Sequence, residues 1–214
     1  MGRGRFIVLE GVDGAGTSTQ CALLCAALRA RGYPSHQTRE PSDGPVGMLI
    51  RQILSRRLVV PSQTGFKSPR METMALLFAA DRLDHLEGEV LPNLGDGVTV
   101  VCDRYVHSSV AYQTLTASAD DRDALRWVKT INERARKPDL TMVLVVSADT
   151  AARRRASRGG PEEIYESGDL QRRLVDFYSD LPRSFPDQPA VLVDGEQDLD
   201  EVHASCLKAA LELY

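Results

Sequence analysis

The stretch "RFIVLEGVDGAGTSTQ", residues 5–20, decides the fold. It begins as a short apolar run rich in β-formers, stops at Gly11, and continues into a segment with helical spacing. A strand that runs into a glycine loop and then a helix is the setting a phosphate-binding loop of the form G-x-x-x-x-G-K-[ST] requires. Gly11 and Gly16 occupy its glycine positions and Ser18 its hydroxyl position, but Thr17 stands in place of the lysine. Glycines let successive backbone N–H groups turn toward one centre, and a helix N-terminus adds partial positive charge. Such a cradle attracts phosphate oxygens without a lysine. The missing charge-assisted hydrogen bond is worth about 1.5–3 kcal/mol, modest beside the roughly millionfold or larger accelerations of enzymes. Gly11, Val12, Asp13, Gly14, Ala15, Gly16, Thr17, Ser18 and Thr19 therefore read as a nucleotide-phosphate site, with the Ser18 hydroxyl placed to reach Mg²⁺.

Outward from this loop the chain alternates strands with helices. "SHQTRE" (35–40) reads as a second, more polar strand near a sheet edge. "VTVVCD" (98–103), "LTMVLVVS" (140–147) and "PAVLVDG" (189–195) read as buried strands. Helical patterns cover the segment after the loop up to Gly32, then 46–55, 71–94, 123–135 and 199–214. Continuous apolar strands between helices imply an α/β fold whose five-stranded parallel sheet is covered on both faces. No repeat or linker divides the chain, so residues 1–214 are expected to form one domain. The charged segment 153–166, "RRRASRGGPEEIYE", departs from the pattern and reads as a lid. Its Arg153, Arg154, Arg155 and Arg158 are candidates for the charge that Thr17 lacks.

Composition narrows the function classes. Hydrophobic residues make up 43% of 214, enough for a substantial core, and the net charge of −4 offers no broad basic surface for nucleic acid or an anionic membrane. No stretch approaches the ~20 apolar residues of a membrane span. Cys21, Cys25, Cys102 and Cys206 follow neither a disulfide nor a zinc spacing, which points to a reduced, cytoplasmic setting. Cys21 and Cys25 share one helix face and read as small buried side chains. No role falls to His36, His85, His107 or His203, whose spacing suits neither a metal nor a triad.

Further constellations carry chemistry. In "VVCDRYVHSSVAYQ" (100–113), Asp103 ends a buried strand, where α/β folds place ligands. Asp103 suits Mg²⁺ through water, and Arg104 suits bidentate phosphate binding. Arg39 follows a strand in "TREP" (38–41). In "LLFAADR" (76–82), Phe78 and Arg82 lie four apart, so an aromatic plane and a guanidinium address one ligand.

Taken in order, "FIVLEGVDGAG-T-STQ", "TREP", "LLFAADR", "DRYVHSSVAYQ", "KPDLTMVLVVSADTA" and the arginine-rich lid resemble the thymidylate kinases, over nearly the whole chain. The resemblance implies a P-loop nucleoside-monophosphate kinase with a three-layer α/β/α fold, a homodimer, and conversion of dTMP and ATP to dTDP and ADP with Mg²⁺. It places Asp13 near the dTMP sugar and phosphate, and Arg39 and Arg104 on that phosphate. Phe78 would stack on thymine and Arg82 would donate to a thymine carbonyl. Ser109, Tyr112 and Gln113 fall beside the base and deoxyribose, and Tyr178 near the nucleoside. Catalytic roles fall to Asp13, Arg104, Arg153 and Arg158, and metal contact to Ser18 and Asp103. Alternatives are a kinase of another nucleoside monophosphate, or a nucleotide-binding protein impaired in turnover by Thr17.

Overall fold

β1 (Phe6–Gly11) lies at the centre of a parallel sheet, between β5 (Thr99–Asp103) and β6 (Leu140–Val145). β2 (Ser35–Arg39) and β7 (Ala190–Asp194) form the edges, giving the order β2-β5-β1-β6-β7. The computed structural model describes residues 3–62, 65–67, 69–118, 120–158, 165 and 168–214.

Side chains alternate across a strand, and here each set meets its own core. Ile7, Leu9 and Val101 pack with Leu24 and Leu28 of helix α1 (Thr17–Ala30). Phe6, Val8, Val100 and Cys102 pack on the other face with Leu86, Val90, Leu94 and Tyr105. β1 is buried on both faces for this reason, and its apolar run does not alternate. β2, more polar, is an edge strand as its composition suggested. α1 ends in a Schellman turn: Gly32 takes φ +84°, its N–H reaches Arg29 O, and Tyr33 N–H reaches Leu28 O.

The helical pattern over 71–94 forms α3 (Met71–His85), a π turn (Leu86–Val90) and α4 (Leu91–Gly95). Helices α2 (Pro45–Leu54), α6 (Ala124–Ile131) and α10 (Leu199–Leu211) match expected segments. Between the expected segments stand elements that were not anticipated. One is an antiparallel hairpin of β3 (Val60–Ser62) and β4 (Gly65–Lys67); another is α5 (Val106–Thr116), directly after β5. The first part of the expected lid is helical: Arg153, Arg154 and Arg155 lie on α7 (Ala148–Arg158). Residues 159–164, 166 and 167 lie outside the described residues. Past the lid, α8 (Gly168–Ser179) and the short α9 (Leu181–Ser184) lead to β7. All four cysteines are buried and free. Among the described residues no helix is long and apolar enough to cross a membrane.

Register brings the motifs together. Asp103 stands opposite Arg39 on one side and Leu9 on the other. The C-terminal ends of β1, β2 and β5 thus deliver the glycine loop, Arg39 and Asp103-Arg104 to one end of the sheet, where open α/β folds bind ligands.

Candidate active site

The glycine loop leads into α1 with Gly16 as N-cap at φ +98°, a conformation that disfavours side chains. No side chain caps this helix and its first turn holds no acidic residue, so its leading N–H groups and dipole remain available to an anion. Gly14, at φ +94°, meets the next layer: a Cβ there would lie 2.5 Å from the carbonyl oxygen of Ala151. The loop is therefore pressed directly against α7.

That contact decides where the arginines go. Thr17 is buried, its methyl facing Gly11. Half-buried Arg155 donates from Nη1 to the Asp13 carbonyl at 2.6 Å and to Gln171 Oε1 at 3.2 Å. Arg154 donates to Gly195 O at 2.9 Å and approaches Ala15 O at 3.5 Å. Arg153 turns instead to Thr150 Oγ1, at 2.8 Å. The Arg158 side chain lies outside what the structure describes.

Next to the loop is a cavity of about 160 Å³ whose walls include Asp13, Arg39, Phe78, Arg82, Asp103, Arg104, Ser109, Tyr112 and Gln113. Nearly every residue expected to hold the acceptor is thus in one wall. Tyr178 is the exception: it stands behind Arg104, its hydroxyl 3.5 Å from Arg104 Nη1 and 3.0 Å from Ser108 Oγ. Tyr165 takes a place in the wall that sequence reasoning did not assign.

Arg104 adopts φ +70°, uncommon for a residue with a side chain. It is held there by many bonds. Its backbone N–H reaches Leu9 O at 2.9 Å, and Nη1 reaches Gly11 O at 2.9 Å and Ser108 Oγ at 3.1 Å. Nη2 pairs with Asp13 Oδ1 at 2.6 Å, while Asp13 Oδ2 accepts from the Tyr112 hydroxyl at 2.9 Å. Arg39 is more exposed and pairs with Asp43 at 2.8 Å.

Glu10 was missed. Fully buried, it accepts from Tyr105 N–H at 3.0 Å, Ser108 N–H at 3.2 Å and Ser108 Oγ at 2.6 Å, clamping the backbone that follows Arg104. Burial pushes its carboxyl above the usual carboxylate range, against the pull of Ser108 and Arg104.

Some buried polar atoms of the cavity residues find no partner among the described residues. Arg82 spends Nη1 on Asn132 Oδ1 and Nη2 on Glu40 at 2.6 Å and Ser109 at 2.9 Å, yet Nε–H is unpaired. The Gln113 amide, with the Tyr165 hydroxyl beside it, makes no hydrogen bond of normal geometry. Orphaned buried donors and acceptors are costly, and a ligand with both functions on one edge would satisfy them. Asp103 accepts from Ser18 Oγ through Oδ2, and its buried Oδ1 is also unpaired. A carboxylate and a hydroxyl suit Mg²⁺, which keeps waters and substrate phosphates in its remaining positions. Among the described residues no group of three His, Cys, Asp or Glu side chains is placed to hold a metal ion.

A parallel α/β sheet, a glycine loop at its switch point and an adjoining cavity walled by Arg39, Arg82 and Arg104 make up a nucleoside-monophosphate kinase architecture. The thymidylate kinase family model matches residues 9–206. A probable thymidylate kinase of Pyrococcus horikoshii is 37% identical over 94% of this chain and 93% of its own length. A thymidylate kinase of Ruegeria pomeroyi is 36% identical over 98% and 96%. A solved thymidylate kinase structure from Candida albicans shares the fold, with a TM-score of 0.79 at 24% identity over 97% of this chain and 91% of that one. The chain belongs to the thymidylate kinase family.

Proposed function

We propose that this protein transfers the γ-phosphoryl group of ATP to dTMP, giving dTDP and ADP. The observation that carries the reading is the cavity with Phe78 in its wall beside an Arg82 Nε–H and a Gln113 amide that find no partner among the described residues, at the edge of the phosphate loop. Thymine offers an aromatic face together with carbonyl acceptors and an N–H donor on one edge. Family membership supports the same activity, and neither a different monophosphate nor a binder without turnover draws support from the comparisons.

In-line phosphoryl transfer needs positioning and charge neutralisation more than covalent help. Arg104, immobilised by Asp13 and Gly11, would fix the acceptor phosphate, with Arg39 exchanging Asp43 for it. Tyr112 and Asp13 border the sugar. The loop N–H groups and the α1 N-terminus would hold the ATP phosphates. In the region where lysine is missing, Arg155 supplies positive charge against the loop. Ser18 and Asp103 would hold Mg²⁺, which supplies neutralising charge to the β- and γ-phosphate oxygens when bound. We further propose a homodimer through the face on which Leu76, Leu83 and Leu91 remain 42–53% exposed at spacings of seven and eight. Sedimentation of Leu76→Glu/Leu83→Glu as a monomer beside a dimeric wild type would bear that out; two identical profiles would not.

The deciding experiment is product formation from Mg·ATP with dTMP, dUMP, CMP and AMP in parallel. The expected outcome is the highest kcat/KM for dTMP. Absence of dTDP, or preference for another base, overturns the reading.

A further inference from the structure

Beside the acceptor cavity lie four ionisable groups that are almost inaccessible: Glu40, Asp81, Arg82 and His85, none more than 6% exposed. Glu40 divides its oxygens between Arg82 Nη2, at 2.6 Å, and His85 Nδ1, at 3.4 Å. Asp81 is held by the Ser42 N–H at 2.8 Å and the Ser42 hydroxyl at 2.6 Å. His85 Nε2 lies 2.7 Å from Thr38 Oγ1 and 3.5 Å from Glu89 Oε2, in the π turn that follows α3. Two buried carboxylates and one permanent cation leave a negative excess, and buried charges persist only when matched. With both carboxylates ionised, the quartet is neutral only when His85 is protonated.

We infer that protonated His85 is a positioning residue for the acceptor base: it saturates one oxygen of Glu40, so that the other holds Arg82 in the orientation that aims Nε–H at dTMP. The inference rests on the reading of Arg82 as a base donor. Loss of the proton removes the positive charge from the ring beside Glu40, even where a neutral Nδ1–H still donates to it, and Arg82, its strongest remaining donor, is drawn toward it.

Charged neighbours face His85 from several elements. Glu40 reaches His85 from the end of β2, Glu89 from the π turn, and Asp43 from the loop before α2; Asp81 and Arg82 share its helix. His36, on β2, ties up the other Glu89 oxygen at 2.6 Å. Burial disfavours the imidazolium, but Glu40, Glu89 and Asp81 outweigh it and raise His85 above its ordinary value of 6.5. His107 is the contrast. It is equally buried, has Arg82 and Lys129 as charged neighbours, finds no partner for either ring nitrogen among the described residues, and is pushed down to about 4.

The test compares wild type with His85→Gln, measuring KM for dTMP and for ATP from about pH 6 to about pH 9, a range that spans histidine titration. The ratio of the two proteins' KM values cancels titration of dTMP itself. The expected ratio is roughly tenfold for dTMP at the acidic end, the size of one charge-assisted hydrogen bond. It should fall toward unity as wild type loses its proton, with KM for ATP unchanged throughout. In parallel, the four imidazoles are followed by NMR, assigned through single His→Gln variants. His85 should titrate above 6.5, and higher still with dTMP bound, because the coupling is reciprocal. A dTMP ratio that stays flat with pH, or a His85 midpoint below 6.5, overturns the inference while leaving the kinase reading intact. A protein with no dTDP formation overturns the kinase reading instead, and the imidazole titration of wild type still decides the charge on His85.

Discussion

Arg153 and Arg155 are two positions apart on α7 and address different partners. Arg155 reaches the loop carbonyl of Asp13, and Arg153 bonds Thr150 on its own helix. Their spacing puts them on different faces, which a run of arginines in a sequence does not reveal. Arg155→Ala should lower kcat by about ten- to a hundredfold, the span of one or two charge-assisted contacts. Arg153→Ala should stay within about threefold of wild type, as surface changes usually do. Thr17→Lys should do little alone, but should recover much of the loss in the Arg155→Ala background, because both cations serve the same phosphates. Steady-state kinetics of the four proteins form a double-mutant cycle. Additive effects of Thr17→Lys and Arg155→Ala would show that the two positions act on different steps.

At the scale of elements, the tightest joint is between the glycine loop and α7. A methyl at Gly14 would sit 2.5 Å from backbone and would also force a side chain into φ +94°. The atoms it would meet all belong to the Ala151 backbone, so Gly14→Ala must push the loop away from α7. The expected result is at least a tenfold rise in KM for ATP, with a loss of about 1–3 kcal/mol in stability from the strained conformation. Gly16→Ala meets open space and suffers only the backbone penalty, so it should be the milder of the two in thermal melts. Equal damage from both would mean that contact with α7 is unimportant. The central strands were readable because burial on both faces makes them continuous apolar runs, and the glycine loop because its spacing is dictated by backbone conformation. The hairpin at Val60–Lys67 was not, since Pro61 and a largely exposed surface leave no strand pattern. α5 was hidden for a functional reason: its buried face carries His107, Ser109 and Gln113, polar groups that erase the apolar period. Arg39, Phe78, Arg82 and Arg104, which line the cavity, could be singled out because their motifs are local. Glu10 was not, because its backbone partners Tyr105 and Ser108 lie 95 and 98 residues further on.

For the whole molecule, the site's buried charges set how stability responds to pH. Glu10 has a folded pKa raised above its ordinary 4.5, chiefly by burial. Between those two values the folded protein binds more protons than the unfolded one, so stability falls as pH rises. His85 is raised above 6.5. Its contribution is complete below 6.5 and disappears as pH climbs through its folded value, so it also weakens the fold toward alkaline pH. The two groups act with the same sign in successive windows, Glu10 from 4.5 upward and His85 from 6.5 upward. His107, pushed down to about 4, has the opposite sign and opposes Glu10 between about 4 and 6.5, so urea midpoints should decline clearly only above 6.5, where His85 acts. Relative to wild type, Glu10→Gln should let stability rise more steeply from 4.5 upward, because an amide fills the site without titrating, and His85→Gln should flatten the decline above 6.5. Glu10→Gln should also raise KM for dTMP, since Glu10 clamps the backbone that presents Arg104. A Glu10→Gln profile that runs parallel to wild type at every pH would mean that Glu10 keeps its ordinary pKa on folding, and that its place beneath Arg104 carries no electrostatic cost.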